Sequence, residues 1–178
     1  MKISRTDLIL LTVALIATLL LCGTVIAYMF RQTEYKDNAF VPANVSCKVV
    51  EEFDGTQKTS IQVQNTGNID AYLRVRLVSY WVDADGNIVA KPSEMPEINI
   101  ATGWITGANN TYYYTKPVRS SAHTGALLSA PITLKQDENG YMQVLEVFAE
   151  AIQSKPSHAV TNSWKVSLDT NGNITAAP

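Results

Sequence analysis

A long uncharged segment near the amino terminus constrains this chain more than any other feature. From Leu8 to Phe30 the sequence contains no charged residue, and Leu, Ile, Val and Ala dominate. A helix rises about 1.5 Å per residue, so this segment reaches roughly 35 Å, enough to cross the hydrocarbon core of a bilayer. Lys2 and Arg5 precede it and favour a cytoplasmic amino terminus. The sequence therefore predicts a helix that targets the protein to a membrane.

Two interpretations of this segment remain open. Val25 and Ala27 supply the small residues that a signal peptidase requires before its cut, which predicts a signal peptide over residues 1–27 and cleavage between Ala27 and Tyr28. The apolar run is longer than the usual signal-peptide core and continues beyond this site. An uncleaved anchor over residues 8–30 is therefore the alternative. Both interpretations make the membrane a partner during export, and the first adds a signal peptidase.

Composition limits the rest of the chain. A length of 178 residues suits one domain plus a targeting segment. The net charge is −2 and no basic run occurs, which argues against nucleic-acid binding. The two cysteines lie apart, Cys22 in the apolar segment and Cys47 in the domain. We therefore expect no disulfide and no cysteine metal motif, with Cys47 as a small buried residue.

After a polar linker over residues 28–44, the hydrophobic pattern alternates with a period of two, which indicates β-strands. The clearest strand is Ala71–Val82, because Leu73 and Val75 share one face while Arg74 and Arg76 share the other. The same pattern, with turn signals between the runs, predicts further strands at Val45–Phe53, Thr59–Asn65, Ile88–Val89, near Trp104, and at Thr111–Thr115, Leu127–Leu134 and Tyr141–Gln153.

These strands predict an all-β fold, an antiparallel β-sandwich of the immunoglobulin-like kind over residues 45–170. One short helix is expected after Pro156, with Ser157 as its N-cap. Residues 171–178 are expected to form a flexible tail. The predicted architecture is thus an amino-terminal hydrophobic helix, a β-sandwich and a short carboxy-terminal helix.

No residue set predicts a catalytic or metal site. A zinc protease needs closely spaced histidines with a carboxylate, whereas His123 and His158 are far apart in the sequence. The run from Asp83 through Asp85 to Asn87 imitates a calcium loop, but Ile88 stands where such a loop requires glycine. A plain hairpin turn is the favoured interpretation, and weak calcium binding is the alternative.

Other side chains that could carry chemistry also have simpler interpretations. Glu146 and Glu150 share a strand face but lie about 13 Å apart by strand rise, too far for a retaining glycosidase. Tyr112, Tyr113 and Tyr114 could stack on a sugar, although aromatic strands usually pack a core. The sequence therefore predicts no enzyme, no cofactor and no small-molecule substrate.

Several blocks in the correct order resemble the TasA/camelysin family of exported Gram-positive proteins. The first runs from Gly23 to Phe30 and is followed by Asp37–Val41. The second is Asn65–Val75, similar to the block N-T-G-x-x-x-A-Y-x-R-V. The third is Tyr112–Val118, and the last is Glu150–Gln153 with Trp164. The resemblance covers residues 23 to 164, and it implies a jelly-roll sandwich, a dedicated type I signal peptidase, and a place on the cell surface or in the biofilm matrix.

Some members of this family polymerise by passing an amino-terminal strand to the next subunit, and others are described as surface metalloproteases. The favoured hypothesis is a secreted structural protein that forms homo-oligomers or filaments by strand donation. Phe40, Val41 and Val45 would be the alternating anchors of that strand. The alternatives are a camelysin-like metallopeptidase and a membrane-anchored adhesion or accessory module.

Overall fold

The computed structural model describes residues 4–32 and 41–178. These belong to two compact units, one ending at Val41 and the other covering Pro42–Pro178. The first contains helix α1 (Arg5–Gln32). The second is mostly β-sheet with one short helix. Its elements are β1 (Cys47–Phe53), β2 (Gln57–Asn65), β3 (Ala71–Val82), β4 (Ile88–Val89), β5 (Trp104–Thr106), β6 (Thr111–Tyr114), β7 (Ile132–Thr133), β8 (Met142–Gln153), α2 (His158–Trp164), β9 (Ser167–Leu168) and β10 (Ile174–Ala176).

Several polar groups of helix α1 find partners within the helix, as an apolar environment favours. Ser4 and Asp7 form a reciprocal cap, in which each side chain accepts a hydrogen bond from the other residue's backbone N–H. The hydroxyl groups of Thr12 and Thr18 donate to carbonyls one turn earlier. The segment Arg5–Tyr28 is long and apolar enough to cross a membrane. The predicted apolar helix is therefore present.

Strand β3 organises the largest sheet. It pairs along its whole length with β8 on one side, and with β6 and then β4 on the other, while β5 extends the sheet beyond β6. A smaller sheet has the order β1-β2-β7, and β9 and β10 form a separate hairpin. All of these pairings are antiparallel.

The two larger sheets contribute to one hydrophobic cluster. Ile61 and Val63 of β2 are buried in it with Leu73, Val75 and Leu77 of β3 and with Leu145 of β8. These β3 residues are the face that the alternation of the sequence predicted, so the strand and its inward face are confirmed. Burial of these aliphatic side chains is the main stabilising contribution, at roughly 1.5–3 kcal/mol each.

A second cluster covers the opposite face of β3 and β6. Tyr72 and Tyr113 pack there against Val160 and Trp164 of α2 and against Ile174 of β10. The prediction of a flexible tail over residues 171–178 is therefore wrong, because Ile174 is only 2% exposed and pairs with β9. The domain correspondingly extends past residue 170, and the carbonyl of Pro178 accepts a hydrogen bond from the Ala108 backbone.

One hairpin turn recurs in the domain. Asp83, Asp137 and Asp169 each accept hydrogen bonds from the backbone N–H groups two and four residues later. A glycine with positive φ follows each aspartate by three positions, where a side chain would be strained. The three glycines are Gly86, Gly140 and Gly172. In each turn the aspartate carboxylate binds the backbone N–H groups of the residues where the chain reverses direction.

Two local predictions differ from the structure. The strand expected at Leu127–Leu134 is reduced to Ile132–Thr133, and Leu127 and Leu128 are buried in succession, which breaks the alternation of a half-buried strand. Helix α2 is present, but Ser157 makes no side-chain cap because its own backbone is already helical.

Candidate functional site

The predicted signal-peptidase site lies within a helix. Helix α1 continues through Ala27 and Tyr28 to Gln32. The bond between Ala27 and Tyr28 therefore becomes accessible to a peptidase only when the local helical hydrogen bonds open. Cleavage at this site stays a prediction, and the unbroken helix is what an anchor would also show.

The candidate metal and nucleophilic residues are dispersed. His123 is exposed and forms an isolated bridge with Gln64, and His158 is exposed at the start of α2. Across residues 4–32 and 41–178, no group of three or more His, Cys, Asp or Glu could hold a metal ion. Burial, with a smaller contribution from the charge of Glu150, raises the pKa of the Cys47 thiol, which favours its protonated form. The absence of a catalytic or metal site stays a prediction.

The candidate calcium loop is a hairpin turn. The Asp83 carboxylate accepts hydrogen bonds from the backbone N–H groups of Asp85 and Asn87 and from the Asn87 side-chain amide. The backbone of Glu94, the distant carboxylate of the imitated motif, bonds Gln143. The Asp83 oxygens thus close the turn between β3 and β4.

The tyrosine run packs within the domain. Tyr112 is buried in the first cluster and Tyr113 in the second. Tyr114 meets Trp104 edge to face, with ring centroids 5.3 Å apart. Because successive side chains of β6 point to opposite faces, these rings form no flat platform for a sugar.

The predicted assembly segment divides into two parts. Val45 packs against the first hydrophobic cluster, so it belongs to its own domain. Val41 is 71% exposed, and Phe40 lies outside the described residues. Asn68 fixes the chain just after Val41, since its side chain accepts a hydrogen bond from Asn44 N–H at 2.7 Å and donates one to the Pro42 carbonyl at 2.9 Å. Among the described residues, the hydrogen bonds that hold this part of the chain to the domain therefore begin at Pro42.

We call the Asn68 side chain, with its hydrogen bonds to Asn44 and Pro42, the Asn68 clamp. A buried asparagine supports the turn that carries it. Asn65 is fully buried, and its amide donates to the carbonyls of Ile69 and Val118 at 2.8 and 2.9 Å. Its side-chain oxygen accepts a hydrogen bond from Gly67 N–H. A Cβ at Gly67 would lie 2.3 Å from the Asn44 carbonyl oxygen, so only glycine allows this approach. The sequence showed a turn here but not the clamp that it forms.

The outer edges of β1 and β8 form the most distinctive feature of the domain. The two strands lie next to each other but are not paired. In the part of the chain that the structure describes, the outer edge of β1 has no backbone partner, and that of β8 has none beyond Gln143. A groove of about 370 Å³ runs between them, lined by Val49, Glu51, Phe53, Lys58, Tyr80, Leu134, Gln143, Val144, Leu145, Glu146 and Val147.

Charged and apolar groups alternate along this groove. Lys58 is only 5% exposed, and its ammonium lies 2.5 Å from the Glu51 carboxylate and 5.6 Å from the centre of the Phe53 ring. Phe53 itself is 48% exposed. The groove therefore combines unpaired backbone and an exposed aromatic side chain, which are the features that receive an added strand. Its ion pair joins a buried lysine to an exposed glutamate.

Sequence reasoning missed a buried amide near the end of this groove. Gln143 is 4% exposed, and its amide nitrogen donates to the Ser79 hydroxyl and the Glu94 carbonyl. Its side-chain oxygen accepts a hydrogen bond from Lys135 N–H. The sequence does contain a signal for this amide, because Gln143 occupies an inward position of a predicted strand. A buried amide must find hydrogen-bond partners.

The chain matches no protein-family model, and no curated protein and no solved structure matches it. The likeness to the TasA/camelysin family therefore depends on its sequence blocks alone. The function must be argued from the apolar helix and the geometry of the domain.

Proposed function

We propose that this chain is an exported structural protein of the bacterial cell surface or extracellular matrix, and that it self-associates into filaments by strand donation. Its domain would be a jelly-roll or immunoglobulin-like sandwich, an interpretation supported by the shared core of the two larger sheets. The apolar helix supports export. The sequence blocks that resemble the TasA/camelysin family support a surface or matrix location.

The groove between β1 and β8 is the observation that carries this proposal. Unpaired edges present rows of N–H and C=O groups, and natural proteins usually protect such edges. Here β8 is twelve residues long and its outer edge has no backbone partner among the described residues after Gln143. An extended segment from another subunit would pair with this edge and cover Phe53.

The donated segment in this proposal lies between the cleavage site and Pro42. Phe40 and Val41 provide adjacent apolar side chains on the two faces of an extended strand. Val45, the third anchor of the sequence-based hypothesis, is retained by its own domain. The donor is therefore shortened to residues 28–41, and the Asn68 clamp marks where it separates from the domain.

A membrane-anchored adhesion or accessory module is the second candidate, and the unbroken helix through Ala27 favours it. Mass spectrometry of the amino terminus separates the two. A secreted chain that begins at Tyr28 supports the filament hypothesis, whereas a membrane fraction that retains residues 8–30 supports the anchor.

The filament hypothesis is tested with a chain that begins at Tyr28. We expect filaments in electron micrographs of this chain, and none when the chain begins at Pro42. Phe53→Lys should abolish filaments because it places a charge in the groove. Val50→Lys is the matched control, since Val50 is 37% exposed on the same strand but does not line the groove. Filaments that persist in Phe53→Lys or in the shortened chain would rule out this mode of assembly.

A further inference from the structure

The outer face of the β3–β8 pair is only partly covered by the domain. At one end, the ring of Trp164 in α2 lies over Arg74, which is opposite Glu150. The next two cross-strand pairs lie beyond this cover, Arg76 opposite Phe148 and Val78 opposite Glu146. We call these four residues, Arg76, Val78, Glu146 and Phe148, the outer patch.

Three residues of the outer patch are exposed and Val78 is half-buried, and neither of the two charged side chains forms an ion pair within the part of the chain that the structure describes. Phe148 is 45% exposed although it lies in the middle of a long strand. Neither Arg76 nor Glu146 forms an ion pair with any described residue, whereas Arg74 is bonded to Glu150 at 2.6 Å in the adjacent row. Glu146 interacts with the Tyr80 hydroxyl through a side-chain hydrogen bond, which leaves its charge without a cationic partner among the described residues. An exposed phenylalanine beside two charges of opposite sign marks a candidate contact surface.

The arrangement of these residues is self-complementary. Side chains opposite each other on two strands lie about 5 Å apart, and successive rows on one face about 7 Å. The four residues of the outer patch therefore stand at the corners of a rectangle. Arg76 and Glu146 occupy one diagonal of it, and Phe148 and Val78 occupy the other. A twofold axis in the plane of the contact, along the second diagonal, would place Arg76 of each copy on Glu146 of the other. Phe148 and Val78 would each meet their own counterparts.

We infer that the outer patch binds a second copy of this chain, face to face around that twofold axis. A twofold contact uses the same surface on both copies, and the two opposite charges fit it because each Arg76 finds a Glu146. This contact uses the face of the β3–β8 pair, whereas strand donation uses the edges of the sheets. Glu146 is the one residue of the outer patch that also lines the groove. Subunits that had both contacts would join neighbouring filaments side by side.

Disulfide capture of the full chain in a non-ionic detergent tests the contact. In a background of Cys22→Ala and Cys47→Ala, Val78→Cys lies on the proposed axis and should link two copies. Lys48→Cys, an exposed position on β1 outside the patch, is the matched control. We expect the linked dimer to form at least about fivefold more with Val78→Cys than with the control, because its two thiols face each other in the contact.

Charge reversal then tests the pairing. In the Val78→Cys chain, Arg76→Glu should reduce the linked dimer to the level of the Lys48→Cys control, and Glu146→Arg added to it should restore the dimer. Phe53→Lys should leave the yield unchanged, which separates this contact from the groove. The inference is overturned if Val78→Cys links no better than Lys48→Cys, if Arg76→Glu leaves the yield unchanged, or if the double reversal does not restore it. Far-UV circular dichroism verifies that each variant is folded.

Discussion

At the scale of single residues, Arg74 and Arg76 show how position decides the role of a side chain. Both lie on the same face of β3, as the alternation predicted. Arg74 lies 4.6 Å from the centre of the Trp164 ring and bonds Glu150 through two nitrogens. Arg76 is exposed and has no ion pair in the described chain. The first arginine therefore fastens α2 to the sheet, and the second is free for contact.

Arg74→Met should lower the free energy of unfolding by about 1–2 kcal/mol, because it removes a cation–π contact and a two-nitrogen bond to a carboxylate. Urea unfolding of the domain at low protein concentration, followed by tryptophan fluorescence, measures the change. Arg76→Met is the matched control and should change the free energy by less than about 0.5 kcal/mol. Equal effects of the two substitutions would show that the stack on Trp164 contributes nothing.

At the scale of elements, the aspartate turns were partly readable from the sequence. Asp83 and the glycine after it stand between two alternating runs, so this hairpin was predicted and is confirmed. The equivalent turn at Asp169 was missed, because β9 and β10 are too short to show alternation. A comparison of the turn sequences, each with glycine three positions after aspartate, would have revealed it.

These turns predict how stability depends on pH. Hydrogen bonds from Asn87 lower the pKa of Asp83, and hydrogen bonds from Asn173 lower that of Asp169, from the usual value of 3.8. A carboxylate with a lowered pKa stabilises the fold above pH 3.8, and this contribution is lost as pH falls through the pKa of the folded state. The midpoint of urea unfolding should therefore decrease below about pH 4.

Asp83→Asn tests the origin of this dependence, since the amide oxygen can still accept the turn hydrogen bonds but carries no charge. The loss of stability between about pH 4 and pH 2 should be smaller in this variant. Asp85→Asn is the control, because Asp85 accepts no hydrogen bond from a described residue of the turn. If Asp83→Asn and the unchanged chain lose stability in parallel, the turn carboxylate has no part in the acid response.

At the scale of the whole molecule, the sequence predicted the long elements but not the candidate site. The apolar helix and strands β3 and β8 are long enough for their periodicity to be visible. The groove depends on β1 and β8, which are far apart in the sequence and pair with different strands. No local pattern reports which edges remain unpaired, since that depends on how the sheets are assembled. The hydrogen bonds of Asn65 that support the Asn68 clamp have the same origin, because Val118 is a distant partner.

The location of the hydrophobic clusters along the chain leads to a last prediction. Both hydrophobic clusters lie entirely within residues 42–178, so a chain that begins at Pro42 should unfold with the same free energy as one that begins at Tyr28, within about 0.5 kcal/mol. Urea unfolding at low protein concentration measures both. Val45→Ala, in the shorter chain, is the control and should lower the free energy by about 1 kcal/mol, because Val45 packs on the core. A loss of more than about 1 kcal/mol on removing residues 28–41 would show that this segment stabilises its own domain, and it would then be a poor donor to a neighbour.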